Sequence, residues 1–405
     1  MRLLRLPLAI ALFSACSSSL DPAVGPADGG PTDAAPPCTA IADCAWPAPM
    51  AWQEPIADYV AEASKTLDPK KLNKAIDDLI VFDDRLFLGY GDATLNAGRV
   101  VPIQIRSWAS PADPSPTADA VVTAEEEISL FRRFGDVLMV PGVDAREDAF
   151  LGNAFTRPKG GSFTKHRAIK GGVHVHDIAA FGGELWACGS GALDLDTWNA
   201  GKIHSFLWRS ADGGATWSTA AEIENSEIGD RRWVQMVPFS KQLLLYGYRT
   251  NAKGQIAAVL ADAWDGAKVV PSDATSKSFV LGAELLDPKT ALLRTVDVGA
   301  TPLRHRALLL KEGSAAVPIA ALDGKTVLDA SAAADGKMVL VVTDGDTYPL
   351  PSTVAPWRVL YTEDGVEVRE LTAGESTAWP TAIAHWKRGL YVGLANGQVL
   401  RSAAP

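Results

Sequence analysis

From residue 76 onward the chain alternates short apolar runs with tight polar breaks. One arrangement keeps returning: an apolar strand, a turn of two to four small or charged residues, then a second apolar strand that often ends in glycine. It reads LIVFDDRLFLG (79–89), LFRRFGDVLMVPG (130–142), IAAFGGELWACG (178–189) and MVPFSKQLLLYG (236–247). Weaker copies are AELLDPKTALLR (283–294), SAAADGKMVLVV (331–342) and IAHWKRGLYVG (383–393). Breaks such as Asp83-Asp84, Gly182-Gly183 and Asp335-Gly336 suit tight hairpin turns.

Anchored on Leu86, Leu138, Leu185, Leu243, Ala291, Met338 and Leu390, the copies recur at 52, 47, 58, 48, 47 and 52 residues. Seven units of about 50 residues match four short strands each, the spacing of β-propeller blades. The repeated hairpin is then the two inner strands of a blade. Third strands are expected at 100–105, 204–210, 255–261, 306–311 and 357–362, and fourth strands at 121–128, 317–322 and 366–371. Helical periodicity is nearly absent after residue 76, so the fold class is all-β, a seven-bladed propeller over 76–405. The last copy ends with Gln398-Val399-Leu400-Arg401-Ser402, one strand short of a full unit. An unpaired edge is a liability in a sheet, so a fourth strand from before residue 76 is expected to close the ring. Residues 46–63 are the candidate. A helix from Pro55, with Ile56, Tyr59, Val60 and Ala63 on one face, competes for the same residues.

Residues 1–15 have a different character. Arg2 and Arg5 precede a short apolar run, Leu6 to Phe13, that is too short to span a bilayer. Phe13-Ser14-Ala15-Cys16 resembles the bacterial lipobox, which implies a signal peptide over 1–15 and lipidation of Cys16. With Ser17 rather than Asp next, the resemblance implies the outer membrane, with the domain facing the periplasm or the surface. Residues 16–37, the Cys and a Ser/Pro/Ala/Gly-rich stretch, read as a flexible tether with a reach of about 65 Å. Residues 38–75 are a lead-in, where Cys38 and Cys44 are expected to form a local disulfide in an exported chain. Cys188, in Leu185-Trp186-Ala187-Cys188, reads as a buried thiol. No other apolar run is long enough for a transmembrane helix.

Charge narrows the partners. The chain has 38 basic and 48 acidic residues, a net of −10, which becomes −12 once residues 1–15 and their two arginines are removed. An acidic chain is a poor partner for nucleic acid. A polyanionic ligand would need a local cationic patch.

The most specific motif is Ser210-Ala211-Asp212-Gly213-Gly214-Ala215-Thr216-Trp217, which resembles the Asp-box, or BNR repeat, S-x-D-x-G-x-T-W. Thr362-Glu363-Asp364-Gly365 is a partial copy in unit six, and Asp262-Ala263-Trp264-Asp265-Gly266 occupies that place in unit four without matching. The resemblance, to the sialidase/sortilin-like superfamily in fold only, implies a folding device in Ser210, Asp212, Gly214, Thr216 and Trp217. It implies no chemistry, because the motif occurs in sialidases and in many non-enzymes. The F/Y-R-I-P element of sialidases is absent, and seven units depart from the sialidase six. Signatures for a nucleophile elbow, H-E-x-x-H, P-loop and dinucleotide binding are absent as well. No cofactor and no metal is expected.

Candidate chemistry centres on Gly171-Gly172-Val173-His174-Val175-His176-Asp177, at the start of the inner strand of unit three. On a strand His174 and His176 share one face and Asp177 takes the other. Two imidazoles at a channel mouth suit acid–base work. They also suit a packing role. Seven-bladed polysaccharide lyases use His and Tyr in the channel, and in that comparison, made without a shared motif, the roles fall to His174, His176 and Tyr248. Arg157, Lys159, Lys165, His166 and Arg167 read as a loop insertion of unit two that forms a cationic pocket. Arg232 and Trp233 in unit four, and Trp379 and His385 in unit seven, suit carbohydrate stacking or peptide capture, although tryptophans such as Trp208 and Trp217 equally suit blade packing. Arg304-His305-Arg306 reads as solvated surface. The expected function is that of an envelope lipoprotein whose propeller binds a glycan or protein partner, with a polysaccharide lyase or glycosidase as the alternative.

Overall fold

The structure, a computed structural model, describes residues 40–93, 101–145, 147, 150–224, 231–251, 256–273, 278–333 and 335–403. Cys16, Cys38, the signal-peptide segment and the whole tether lie outside the described residues. Seven antiparallel sheets follow one another along the chain, each a meander from an inner to an outer strand. The inner strands are Asp78–Phe82, Arg132–Phe134, His174–Phe181, Arg231–Phe239, Ser278–Asp287, Lys325–Ala332 and Pro380–Trp386. The fold is a seven-bladed β-propeller. Its hydrophobic clusters lie between neighbouring blades, as in the one that joins Val237, Leu244 and Tyr246 of blade four to Val280, Ala291 and Leu293 of blade five.

The chain closes the ring with its own beginning. Met50–Gln53 is the outer strand of blade seven, paired antiparallel to Val399–Ala403 through Met50 opposite Arg401 and Ala51 opposite Leu400. The helix Ala57–Ala63 follows and buries Tyr59 and Ala63. Both readings of residues 46–63 therefore hold, in sequence. Upstream, Ile41 and Trp46 pack into the cluster shared by blades six and seven, and the Pro47 carbonyl accepts hydrogen bonds from Thr372 and Ser402.

Outer strands correct the sequence reading. In blade one the third and fourth strands are Arg106–Trp108 and Thr117–Ala118, not 100–105 and 121–128, and Glu127–Ile128 instead pairs with the end of the second strand. In blade five the fourth strand is only Val317–Pro318, and in blade six it is Arg369–Gly374. These strands face solvent on their free edge, so they carry little apolar alternation. The segment around 157–167 is not a loop insertion. Leu151–Pro158 and Thr164–Lys170 are the third and outer strands of blade two.

Five inner strands carry a bulge at the same level: Val175/Asp177, Trp233/Gln235, Val280/Gly282, Val327/Asp329 and Pro380/Ala382. In blades three, four and seven the second strand carries glycine opposite the bulge, at Gly189, Gly247 and Gly393. A Cβ on Gly189 would lie 2.0 Å from the His174 carbonyl, and one on Gly247 would lie 1.8 Å from that of Arg232.

Below the bulges the inner strands are cross-braced by charge. Buried Asp177 accepts from Arg132 Nε and Nη2 of blade two and from the Met236 amide of blade four. Arg132 also lies 3.9 Å from Glu284 of blade five, and Arg294 of blade five pairs with Asp329 of blade six at 3.1 Å.

Candidate functional site

In these meanders the starts of inner strands open at one mouth of the ring, and the hairpin turns at the other. The His-Val-His segment lies at the first mouth. There three blades are laced together, with Glu127 bridging to Val143 and Val143 to His174. His174 and His176 sit on one face with ring centroids 5.7 Å apart and planes 2° from parallel. The bulge at Val175/Asp177 sets His176 beside its neighbour rather than above the next ladder pair.

The surroundings of the two imidazoles differ. His174 is buried, with Nε2 2.7 Å from Oδ1 of fully buried Asp144 and Nδ1 without a hydrogen-bond partner. His176 is half-buried and its Nε2 has no partner. Burial, with the positive charges of His174 and Arg232, holds the His176 pKa well below the ordinary imidazole value. It is neutral at pH 7, and its unpartnered Nε2 is shielded from solvent while the rest of the ring is half-exposed. Arg232 lies opposite Tyr248 across the blade-four hairpin, and Tyr248 packs edge-on against Phe279 at 5.9 Å. The site is thus a file of Asp144, His174, His176 and Arg232, with Tyr248 at its flank.

The remaining candidates go elsewhere. Trp233 is fully buried, its indole N–H on Asp262 and Arg231 over its ring. Arg157 lies at the far mouth, between Asp83 at 3.3 Å and Asp119 at 3.6 Å and against Phe87 and Phe163, where it joins blades one and two. Lys159 is exposed in the turn that follows. Lys165 and Arg167 both reach Glu147, and His166 meets Thr156 at 2.9 Å. These cations do not converge on one pocket, because consecutive residues of an outer strand alternate between its two faces. Trp379 precedes the inner strand of blade seven and donates to the Pro351 carbonyl, whereas His385 is near the other end of that strand, edge-on to Trp46 at 5.8 Å. Arg304 and Arg306 both hold Asp346, and His305 is buried against Tyr348. That trio clamps blade five to blade six and is not a solvated surface.

Sequence reasoning missed Asp144. No periodicity singles it out, and in the sequence it is one of three acids, with Glu147 and Asp148, just after Pro141-Gly142. Among the described residues no group of three His, Cys, Asp or Glu is arranged to hold a metal ion, and no helix is long and apolar enough to cross a membrane.

The Ser210–Trp217 turn lies on the opposite face from the histidines. Asp212 accepts from Ser210 Oγ, the Thr216 amide and Thr216 Oγ1, the Gly214 amide donates to Ser210 Oγ, and the Trp217 indole donates to the Gly214 carbonyl. With three donors upon it, the Asp212 carboxyl is pulled down to about 2. The partial copy behaves alike, with the Gly365 amide on Thr362 and two amides on Asp364. The Ser210, Asp212, Thr216 and Trp217 side chains thus all bond within the turn, as a folding device would.

No protein-family model matches the chain, and no curated protein does. Solved structures share its fold. The extracellular domain of a hybrid two component system from B. thetaiotaomicron is 10% identical with a TM-score of 0.50, over 89% of this chain and 43% of that one. A streptogramin B lyase is 11% identical with a TM-score of 0.46, over 82% of this chain and 94% of that one. The β-propeller domain of the Trilobed protease from Pyrococcus furiosus is 10% identical with a TM-score of 0.46, over 82% and 93%. At such identities the likeness speaks to the fold alone, and the seven sheets of this chain make it a seven-bladed β-propeller.

Proposed function

We propose that the protein is a binding module of the bacterial cell envelope. A lipid on Cys16 and the tether hold a rigid ring at the outer membrane, and the mouth beside His176 and Arg232 captures a glycan or protein partner. A bridge between Cys38 and Cys44 steadies the point where tether meets ring. The observation that carries the binding reading is the state of the polar groups at the mouth. Stacked His174 and His176, with Arg232 beside them, form a rigid wall at the mouth in which His176 is neutral and half-exposed. Such a wall suits recognition by stacking and by the Arg232 guanidinium without assembling a catalytic set.

A second reading, an enzyme on polysaccharide, draws on one feature. The carboxylate of Asp144 beside His174 resembles the pairing that orients a general base. A glycan-array and depolymerisation screen on residues 38–405, with a His174→Ala/His176→Ala double variant, separates the two. The expected result is capture without turnover, weakened about tenfold or more in the double variant, as for a central contact. Polysaccharide cleavage that disappears in the double variant would establish the enzyme reading instead. Radioactive palmitate should label the full chain and fail to label Cys16→Ser. Equal labelling of both removes the anchor.

A further inference from the structure

Where the ring closes, a cleft of about 470 Å³ opens on its flank. The closing strand and its following turn form one wall with Trp52 and Pro55. Arg106 of the third strand of blade one and Gln104 just before it form the floor, and the loop Pro114–Pro116 forms the other wall. The volume lies within the range of about 300–1,000 Å³ found for small-molecule sites.

The floor is built. Arg106 is nine-tenths buried, with its guanidinium over the Tyr90 ring and bonded to the Pro55 carbonyl at 2.8 Å. From that fixed position it grips Asp58 with two parallel bonds of 2.7 and 2.8 Å. The Asp58 carboxylate itself stays 69% exposed, with its remaining lone pairs toward the cleft. Gln104 Oε1 accepts a long bond from Arg106, and among the described residues nothing accepts from its amide nitrogen. Trp52, edge to face with Tyr391 and tilted on Trp108, gives an aromatic wall that cannot swing away.

We propose that this cleft binds a neutral sugar unit of a glycan. A sugar presents hydroxyls at its rim and C–H groups on its faces. Here a planar carboxylate and a planar amide are fixed beside tryptophan and proline surfaces, which matches both. The charge of Arg106 is neutralised by Asp58, and Glu54 adds a negative charge, so an acidic saccharide is disfavoured. The site belongs to the rim of blades seven and one and does not depend on the His176 mouth. Because the closing strand supplies a wall, a bound sugar also braces the seam of the ring.

The test uses the chain from residue 38 and a panel of neutral gluco-, manno- and N-acetylglucosamine trisaccharides, read by calorimetry and thermal shift. One member is expected to bind and to raise the melting temperature, because it stabilises only the folded state. Ser115→Trp, an exposed lining residue whose indole would fill the cleft, should weaken binding by about tenfold or more, as loss of a central contact does. Gln104→Ala should weaken it less, and His174→Ala/His176→Ala should leave it unchanged. Partner capture at the mouth should persist in Ser115→Trp, so failure at one site is distinguishable from failure at the other. The proposal is overturned if no panel member binds, if Ser115→Trp binds as well as the parent, or if the cleft prefers uronic-acid oligosaccharides or a proline-rich peptide.

Discussion

Asp177 accepts hydrogen bonds from Arg132, from the Ile178 amide and from the Met236 amide while fully buried. One carboxylate therefore joins blades two, three and four. The same use recurs where Asp78 takes the Phe131 amide and Asp329 takes the Ile383 amide, each from the next blade. Cutting Asp177→Ala leaves the Arg132 guanidinium buried without its partner, and breaking a buried pair in this way costs about 3–5 kcal/mol. Urea denaturation should show that loss, with Asp177→Asn retaining part of it. A midpoint unchanged in Asp177→Ala would mean that the spokes do not hold the ring. None of this was legible in the sequence, where Asp177 stood out only for the histidines beside it. The partner of a buried acid is set by topology, and Arg132 is 45 residues away.

At the scale of elements, Gly189, Gly247 and Gly393 near the ends of second strands stand opposite bulges of inner strands. The repeat showed those glycines plainly, and their cause appears only in the contacts. At Gly247 the obstacle is the backbone carbonyl of Arg232, which cannot move without shifting a ladder. Gly247→Ala should therefore destabilise by about 3 kcal/mol, the upper end for overpacking, and should disturb the Arg232–Tyr248 pair at the mouth. A melting temperature equal to the parent's would contradict this. Inner hairpins were legible because both faces are buried and several of their tight turns carry Asp or Gly at positive φ, as at Asp83, Asp84, Gly182 and Gly183, although Ser240, Lys387 and Arg388 adopt it too. Outer strands such as Thr117–Ala118 and Val317–Pro318 are exposed and short, so pattern alone could not place them.

For the whole molecule, the axis concentrates charge that the composition merely counted. Burial, with Asp329 nearby, raises Asp78 to about 7, and burial raises Glu284 to about 7 against the pull of Arg132. Burial raises Glu125 to about 8 against the bond from Asn153. These acids hold protons in the fold that the unfolded chain releases near its ordinary values of 3.8 and 4.5. Their contribution is complete at lower pH and fades as pH rises toward 7–8. Melting should accordingly be higher at pH 5 than at pH 8, and the difference should shrink in Asp78→Asn/Glu125→Gln/Glu284→Gln. A triple variant with the parent's full pH dependence would remove these acids as its source. The seven-unit count and the shared face of His174 and His176 were readable from local pattern, whereas Asp144 against His174 and Arg157 against Asp83 needed the ring itself. The Asp177–Arg132–Glu284 bracing has one more consequence. It runs from blade two to blade five, blades that are not neighbours, so the ring is laced through its middle as well as joined around its rim, more a drum than a bare hoop.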